Sequence, residues 1–180
     1  MQDVDDSPTR AAFDEAAFDR TIAAANPSMV IVTARAGDEL DACLVGFHSQ
    51  CSIDPLRYAV WLSAANRTTD IARNASALRV HWIAAHRRDL AELAGGQSLD
   101  RHPDKMAQLR WRDAGDGTVL LDGANGSIAG PIVHRHDDGD HVCFVIEPFD
   151  ATPATDPVLR YTDVRHIDPG HDADPSAPPR

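Results

Sequence analysis

Two short polar segments follow apolar runs in the first half of the chain, and their residue types suit a flat ligand that carries a phosphate. The first segment follows the run that ends at Phe47, and its donors are Ser49, Gln50, Cys51 and Ser52. The second follows the run YAVWLS and comprises Asn66, Arg67 and Thr68. Hydroxyl and backbone N–H groups just before a helical pattern suit an anion. We therefore predict two neighbouring turns that hold one ligand, with two ordinary hairpin turns as the alternative.

Positive charge for such a ligand must come from single residues. The chain has 17 basic and 28 acidic residues and a formal net charge of −11. This balance argues against nucleic acid or an anionic membrane as a partner. Arg67 and Lys105 are the candidate cations for a phosphate, and a solvated helical lysine is the alternative interpretation of Lys105.

His141 is the candidate catalytic side chain, because it opens a strand-like segment directly after Gly139 and Asp140. An imidazole at that position can orient a ligand or stabilise charge. An ordinary surface histidine is the alternative. His134 and His136 alternate along the preceding segment without a cysteine or carboxylate that would complete a ligand set, so we assign no metal site.

The segments that must position these residues are expected to include both strands and short helices. Strands are expected at 28–35, 41–47, 57–63, 78–83, 119–121, 127–136 and 141–152. Short helices are expected at 13–24, 70–76, 88–94 and 102–110. The stretch 137–140 (DDGD) is typical of a hairpin tip. Antiparallel strands with short connecting helices predict a closed barrel.

The order of these segments resembles the flavin reductase-like family, the FMN-binding split barrels that serve as reductase components of two-component flavin monooxygenases. The matching segments, in order, are SQCSIDP, YAVWLS, NRT, LRVHWI, DLAELAGG, DKMAQLRW, GDHVCFVIEP and PVLRY. The resemblance as a whole covers most of the chain, from about Phe13 to Ile167. The resemblance implies a mainly β fold with short helices, arranged as a Greek-key split barrel.

The resemblance also implies a function, namely NAD(P)H-dependent reduction of FMN or FAD. The cofactors carry the hydride chemistry and the protein supplies orientation. In this family the histidine of the Gly-Asp-His motif lies beside the flavin and nicotinamide, which supports His141. The further cofactor-binding candidates are Phe47, His48 and Tyr161. His48 departs from the family pattern and stands where the flavin ring is expected. The alternatives are an oxidoreductase with tightly held flavin and another acceptor, and a flavin-binding module without turnover.

The resemblance further implies a homodimer with the flavin site at the subunit interface and a monooxygenase that accepts the reduced flavin. We expect a cytoplasmic protein, because residues 1–12 do not resemble a signal peptide and the three cysteines have no paired spacing. The predicted domain spans residues 13–167. Residues 1–12 and 168–180 are predicted to be disordered, because they contain too little apolar surface to offset the entropy of ordering.

Overall fold

The computed structural model describes residues 13–170, which form ten strands and five short helices. The strands are β1 (Val30–Ala36), β2 (Glu39–Val45), β3 (His48–Ile53), β4 (Leu56–Ser63), β5 (Ala77–Trp82), β6 (Trp111–Asp113), β7 (Val119–Leu121), β8 (Gly126–Asp138), β9 (His141–Ile146) and β10 (Asp150–Thr152). The helices are α1 (Glu15–Ala25), α2 (Arg67–Asn74), α3 (Arg88–Gly96), α4 (Lys105–Leu109) and α5 (Tyr161–Val164).

Eight strands form one antiparallel sheet in the order β2-β1-β5-β8-β9-β4-β3, with β10 paired to β8. Strand β8 has 13 residues and links the two halves of the sheet. Its first part pairs with β5, its second part pairs with β9, and the register shifts between Ile132 and His134. The short strands β6 and β7 form a separate hairpin.

The first core lies between strands from both halves of the sheet. It includes apolar side chains from β1, β2, β4, β5 and β9, together with Ile71 and Ala72 of α2. The alternation along β4 is typical: Val60 and Leu62 are buried in this core, whereas Trp61 between them points to the opposite face because successive strand side chains alternate. This alternation decides which side chains face the candidate site.

A second core lies between the helices and the other face of β1 and β2. Ile31 and Ala42 of the strands pack there with Leu90 of α3 and Leu109 of α4. Helix α1 buries none of its residues.

The structure confirms most expected strands and corrects four sequence predictions. Residues 48–53 form an exposed edge strand instead of a turn, because they pair with β4 and the hairpin turns at residues 54 and 55. Helix α2 starts at Arg67, not at Asp70, because Asn66 caps it. The expected strand 141–152 is broken into β9 and β10. No hydrogen bonds join β2 to β3 within the described residues, so the predicted barrel is not closed.

The predicted disorder of residues 1–12 lies outside the described residues, as does that of 171–180. Within the predicted tail, residues 168–170 are described, and the Gly170 N–H donates a hydrogen bond of 3.0 Å to the Gly95 carbonyl. The limits of the domain stay a prediction. Among residues 13–170, no helix is long and apolar enough to cross a membrane.

Candidate functional site

An open pocket of about 390 Å³ lies beside the tip of the β8–β9 hairpin, lined by Phe47, Trp61, Asp140 and His141. The rings of Phe47 and His141 are 5.1 Å apart between centroids and inclined by 53°. The Trp61 N–H donates to the Phe47 carbonyl at 2.9 Å. The pocket therefore offers three ring systems and one carboxylate to a ligand.

The hairpin tip is attached to the turn that follows β4. His141 pairs with Ser63 across the β9–β4 ladder, and the Ala64 N–H donates to the Asp140 carbonyl at 2.9 Å. The Asp140 carboxylate lies 2.6 Å from Nδ1 of His141. These contacts bring the hairpin tip next to the turn of Asn66 and Arg67, so two of the sequence-predicted segments share one end of the sheet.

The four polar residues of the first predicted segment lie on β3. Ser49 pairs with Ala59, and a bulge follows Gln50. Ser49 Oγ donates to the Gln50 carbonyl at 3.0 Å, and Gln50 Nε2 donates to the Ser52 carbonyl at 3.1 Å. Cys51 is an exposed free thiol. This segment forms an exposed polar edge, and its contact with flavin stays a prediction.

His48 points away from the pocket, towards the inner face of the sheet. Its Nδ1 lies 2.6 Å from the Tyr58 hydroxyl, and its Nε2 lies 2.9 Å from the Ser28 carbonyl. A carbonyl can only accept, so Nε2 donates to Ser28 and Nδ1 accepts from Tyr58. Burial lowers the pKa of His48 and raises the pKa of Tyr58 to about 12. These bonds occupy both ring nitrogens of His48, and its contact with flavin stays a prediction.

The N-terminus of α2 has little unused hydrogen-bonding capacity. Asn66 Oδ1 accepts from the Thr68 N–H at 3.0 Å, and the Asn66 carbonyl accepts from the Thr69 N–H at 2.8 Å. The Arg67 guanidinium pairs with Glu39 and lies 3.8 Å from Asp70. Arg67 is half-buried, and these two carboxylates already offset its charge.

Thr68 and Lys105, two of the predicted ligand contacts, lie inside the protein. Thr68 is fully buried and the Lys105 side chain is 1% exposed. Thr68 Oγ1 donates to Asp41 Oδ2 at 2.8 Å, and Lys105 Nζ lies 2.9 Å from Asp41 Oδ1. The sequence interpretation missed Asp41, which binds both groups. Both donors are enclosed and paired with Asp41, and their contact with a flavin phosphate stays a prediction.

Tyr161 lies at the start of α5, where its N–H donates to the Pro27 carbonyl at 3.0 Å. Its side chain is 38% exposed and does not line the pocket. The structure therefore does not bring Tyr161 to His141.

Two residues that line the pocket were missed from the sequence. Trp61 was not identified as a ligand contact from the sequence, but its position between two buried residues of β4 marks it as facing the opposite side. Asp140 directly precedes His141 in the Gly-Asp-His motif, and this adjacency was the available signal. Phe47 and His141 are the two predicted residues that line this pocket.

Solved structures share this fold. An NADH:FAD oxidoreductase of Streptomyces globisporus is 18% identical, with a TM-score of 0.70, and the match covers 82% of this chain and 86% of that one. A protein of Sinorhizobium meliloti 1021 is also 18% identical, with a TM-score of 0.73. That match covers 83% of this chain and 51% of the other, so this chain spans about half the length of the Sinorhizobium protein.

Sequence comparison identifies the family. An NADH-dependent FMN reductase of Streptomyces nodosus subsp. asukaensis is 28% identical over 130 residues, which are 71% of this chain and 69% of that protein. The model of the flavin reductase like domain matches residues 24–167. That range includes every strand and all the residues that line the pocket. This chain therefore belongs to the flavin reductase like domain family.

Proposed function

We propose that the protein is an NAD(P)H-dependent flavin reductase that transfers a hydride from a nicotinamide to FMN or FAD. The observation that carries this proposal is the pocket, in which two aromatic rings and one imidazole meet beside the hairpin tip. The Streptomyces relatives support the choice of substrates, since their names specify NADH with FMN in one and NADH with FAD in the other.

The residues present fit such a ligand. A bound flavin supplies the redox chemistry, so the protein needs no acid–base triad. Phe47 and Trp61 offer apolar surface on which a flat ring can pack and from which water is excluded. His141 uses Nδ1 in its contact with Asp140, which leaves Nε2 as the ring nitrogen for a ligand. The protein thus contributes packing, orientation and one hydrogen-bonding group.

The test is oxidation of NADH and NADPH by the purified chain, measured with added FMN, with added FAD and without flavin. We expect oxidation that depends on the added flavin. A folded protein that oxidises neither nucleotide with either flavin would overturn the reductase assignment. If such an inactive protein still binds flavin, it is a flavin-binding module.

The finer architecture is also part of the proposal, as a Greek-key split barrel of the FMN-binding type. Side chains from both halves of the sheet share the first core. Helix α2 also contributes Ile71 and Ala72 to that core. This arrangement supports a barrel that is split along one side.

The proposal also includes a homodimer with the flavin site at the subunit interface. In support, β3 is an edge strand, and Ile53 and Leu56 at its hairpin turn are 82% and 55% exposed. Exposed strand edges with apolar side chains favour association. Light scattering on the purified chain should give twice the mass of one chain, and a monomer at micromolar concentration would contradict the dimer.

The proposed partner is a monooxygenase that accepts reduced flavin, which suits a pocket open to solvent.

The proposed location is the cytoplasm, supported by Cys43, Cys51 and Cys143, which are all free thiols.

A further inference from the structure

We propose that Asp140 is a positioning residue that fixes the tautomer of His141, so that the imidazole presents an acceptor nitrogen to the carboxamide NH₂ of the nicotinamide. This inference rests on the proposed function, because it concerns how the same pocket orients its hydride donor. The role of Asp140 is inferred from its contacts with His141 and Ala64.

The first contact is with the imidazole itself. Asp140 Oδ1 lies 2.6 Å from Nδ1 of His141. A neutral imidazole carries one proton, and an ionised carboxylate can only accept a hydrogen bond. In this neutral form Nδ1 carries the proton, and Nε2 has the free lone pair. A ligand in the pocket meets an acceptor at Nε2.

The backbone of Asp140 is also held in place. Its carbonyl accepts the Ala64 N–H at 2.9 Å, which attaches the hairpin tip to the turn after β4. The preceding residue, Gly139, has φ of +65°, a left-handed conformation that favours glycine. The hydrogen bond to Ala64 and the turn at Gly139 therefore fix the backbone that carries the Asp140 carboxylate, as a positioning role requires.

Phe47 restricts the imidazole further. Its ring lies 5.1 Å from the His141 ring, at an interplanar angle of 53°. A flip of the imidazole that exchanged its two nitrogens would break the bond to Asp140 and disturb this ring contact. The acceptor nitrogen is thus held by one hydrogen bond and one aromatic neighbour.

This arrangement discriminates between the two ends of a carboxamide. The NH₂ group donates and the carbonyl oxygen accepts, so an acceptor at Nε2 pairs with the NH₂ group alone. Fixing the carboxamide orients the nicotinamide ring to which it is attached, and correct orientation lowers the barrier of a transfer between two bound groups. Asp140 acts through His141 and does not touch the nicotinamide in this proposal.

The variant for the test is Asp140→Asn, which keeps the size of the side chain and supplies an NH₂ donor towards Nδ1. Replacing the carboxylate by an amide reverses the tautomer, so that Nε2 carries the proton. The matched control is Asp137→Asn, in the same hairpin and with the same change of charge. Asp137 contacts Arg73 at 2.6 Å instead of a histidine.

The first readout is independent of activity. Nitrogen NMR of the imidazole groups in the flavin-free protein reports which nitrogen carries the proton. We expect the proton on Nδ1 of His141 in the wild type and in Asp137→Asn, and on Nε2 in Asp140→Asn. The same tautomer in all three proteins would overturn the proposal.

The second readout compares NADH with its 3-acetylpyridine analogue, in which a methyl group replaces the carboxamide NH₂. We expect Asp140→Asn to lower kcat/KM for NADH about tenfold, since one donor loses its acceptor, and to change the value for the analogue little. Equal losses with both donors would overturn the positioning role while leaving the reductase function intact. A wild type that oxidises neither donor would overturn the proposed function, and the NMR result would still decide the tautomer.

Discussion

Asp41 and Lys105 form a salt bridge of 2.9 Å inside the protein, where their side chains are 0% and 1% exposed. Thr68 donates to the second carboxylate oxygen of Asp41 at 2.8 Å. The three residues join β2, α2 and α4. Burial beside this group raises the pKa of the Cys43 thiol to about 12. The cluster contributes to the folded structure and does not face the pocket.

Removal of the lysine charge should therefore affect stability, not flavin binding. Lys105→Met leaves the Asp41 carboxylate buried without its cation, and we expect a loss of about 3–5 kcal/mol in the free energy of unfolding. Urea denaturation measures this loss. Arg20→Met is the control, because Arg20 is exposed and lies 3.9 Å from Asp14. A Lys105→Met protein that is as stable as the wild type but binds flavin more weakly would support a contact between Lys105 and the flavin phosphate.

The buried His81 predicts a loss of stability in acid. Its Nδ1 lies 3.2 Å from the Ile31 carbonyl, and its Nε2 accepts from the Leu121 N–H at 3.3 Å. Burial lowers its pKa from 6.5 to about 4. Between these pH values the unfolded chain binds a proton that the folded chain does not, so acid favours unfolding. This contribution is complete above pH 6.5 and falls by about 3 kcal/mol as the pH falls towards 4.

The control for this pH dependence is His81→Asn, whose amide can still donate to Ile31 but does not titrate. We expect this variant to be less stable at pH 7 and to have a shallower decline between pH 6.5 and 4. His48, whose pKa is also lowered, is present in both proteins and cancels in the comparison. Parallel stability curves would show that His81 does not cause the decline.

The contribution of the aromatic side chains of the pocket to flavin binding can be tested through Phe47. Phe47→Leu keeps apolar volume but removes the ring, and we expect flavin affinity to fall about three- to tenfold, the usual effect of one lost aromatic contact. Fluorescence titration measures the affinity. Phe149→Leu is the matched control, because Phe149 is 53% exposed and Phe47 is 58% exposed, but Phe149 does not line the pocket. Equal effects of both changes would remove Phe47 from the site.

The bond between Tyr58 and His48 should contribute to stability alone. Tyr58→Phe removes the hydroxyl 2.6 Å from His48 Nδ1, and we expect a loss of about 1 kcal/mol in the free energy of unfolding. Flavin affinity should stay unchanged, because this pair faces the inner side of the sheet. A large fall in affinity without a loss of stability would instead place His48 at the flavin.

The sequence predicted those parts of the fold whose signals are local. Strand β7 matches its expected limits, and the hairpin tip at 137–140 is confirmed, because apolar runs and turn residues mark them directly. Strand β3 was missed because its residues are polar and exposed. Its conformation depends on pairing with β4, which composition does not reveal.

The same limit applies to the site. The Gly-Asp-His pattern marked His141, which lines the pocket with Phe47. The burial of Lys105 had no local signal, because its partner, Asp41, lies 64 positions earlier, and no local pattern shows that α4 packs against β2. Contacts between distant elements therefore account for the errors, and local motifs account for the successes.

The most direct test of the account is anaerobic stopped-flow reduction of flavin by NADH in the wild type and in His141→Ala, with a melting curve for each. We expect the wild type to reduce flavin and the variant to do so about tenfold or more slowly. The flavin dissociation constant and melting temperature should change little, because His141 lies at a rim. Equal reduction rates across the NADH concentration range would contradict the assignment of this pocket as the site of hydride transfer.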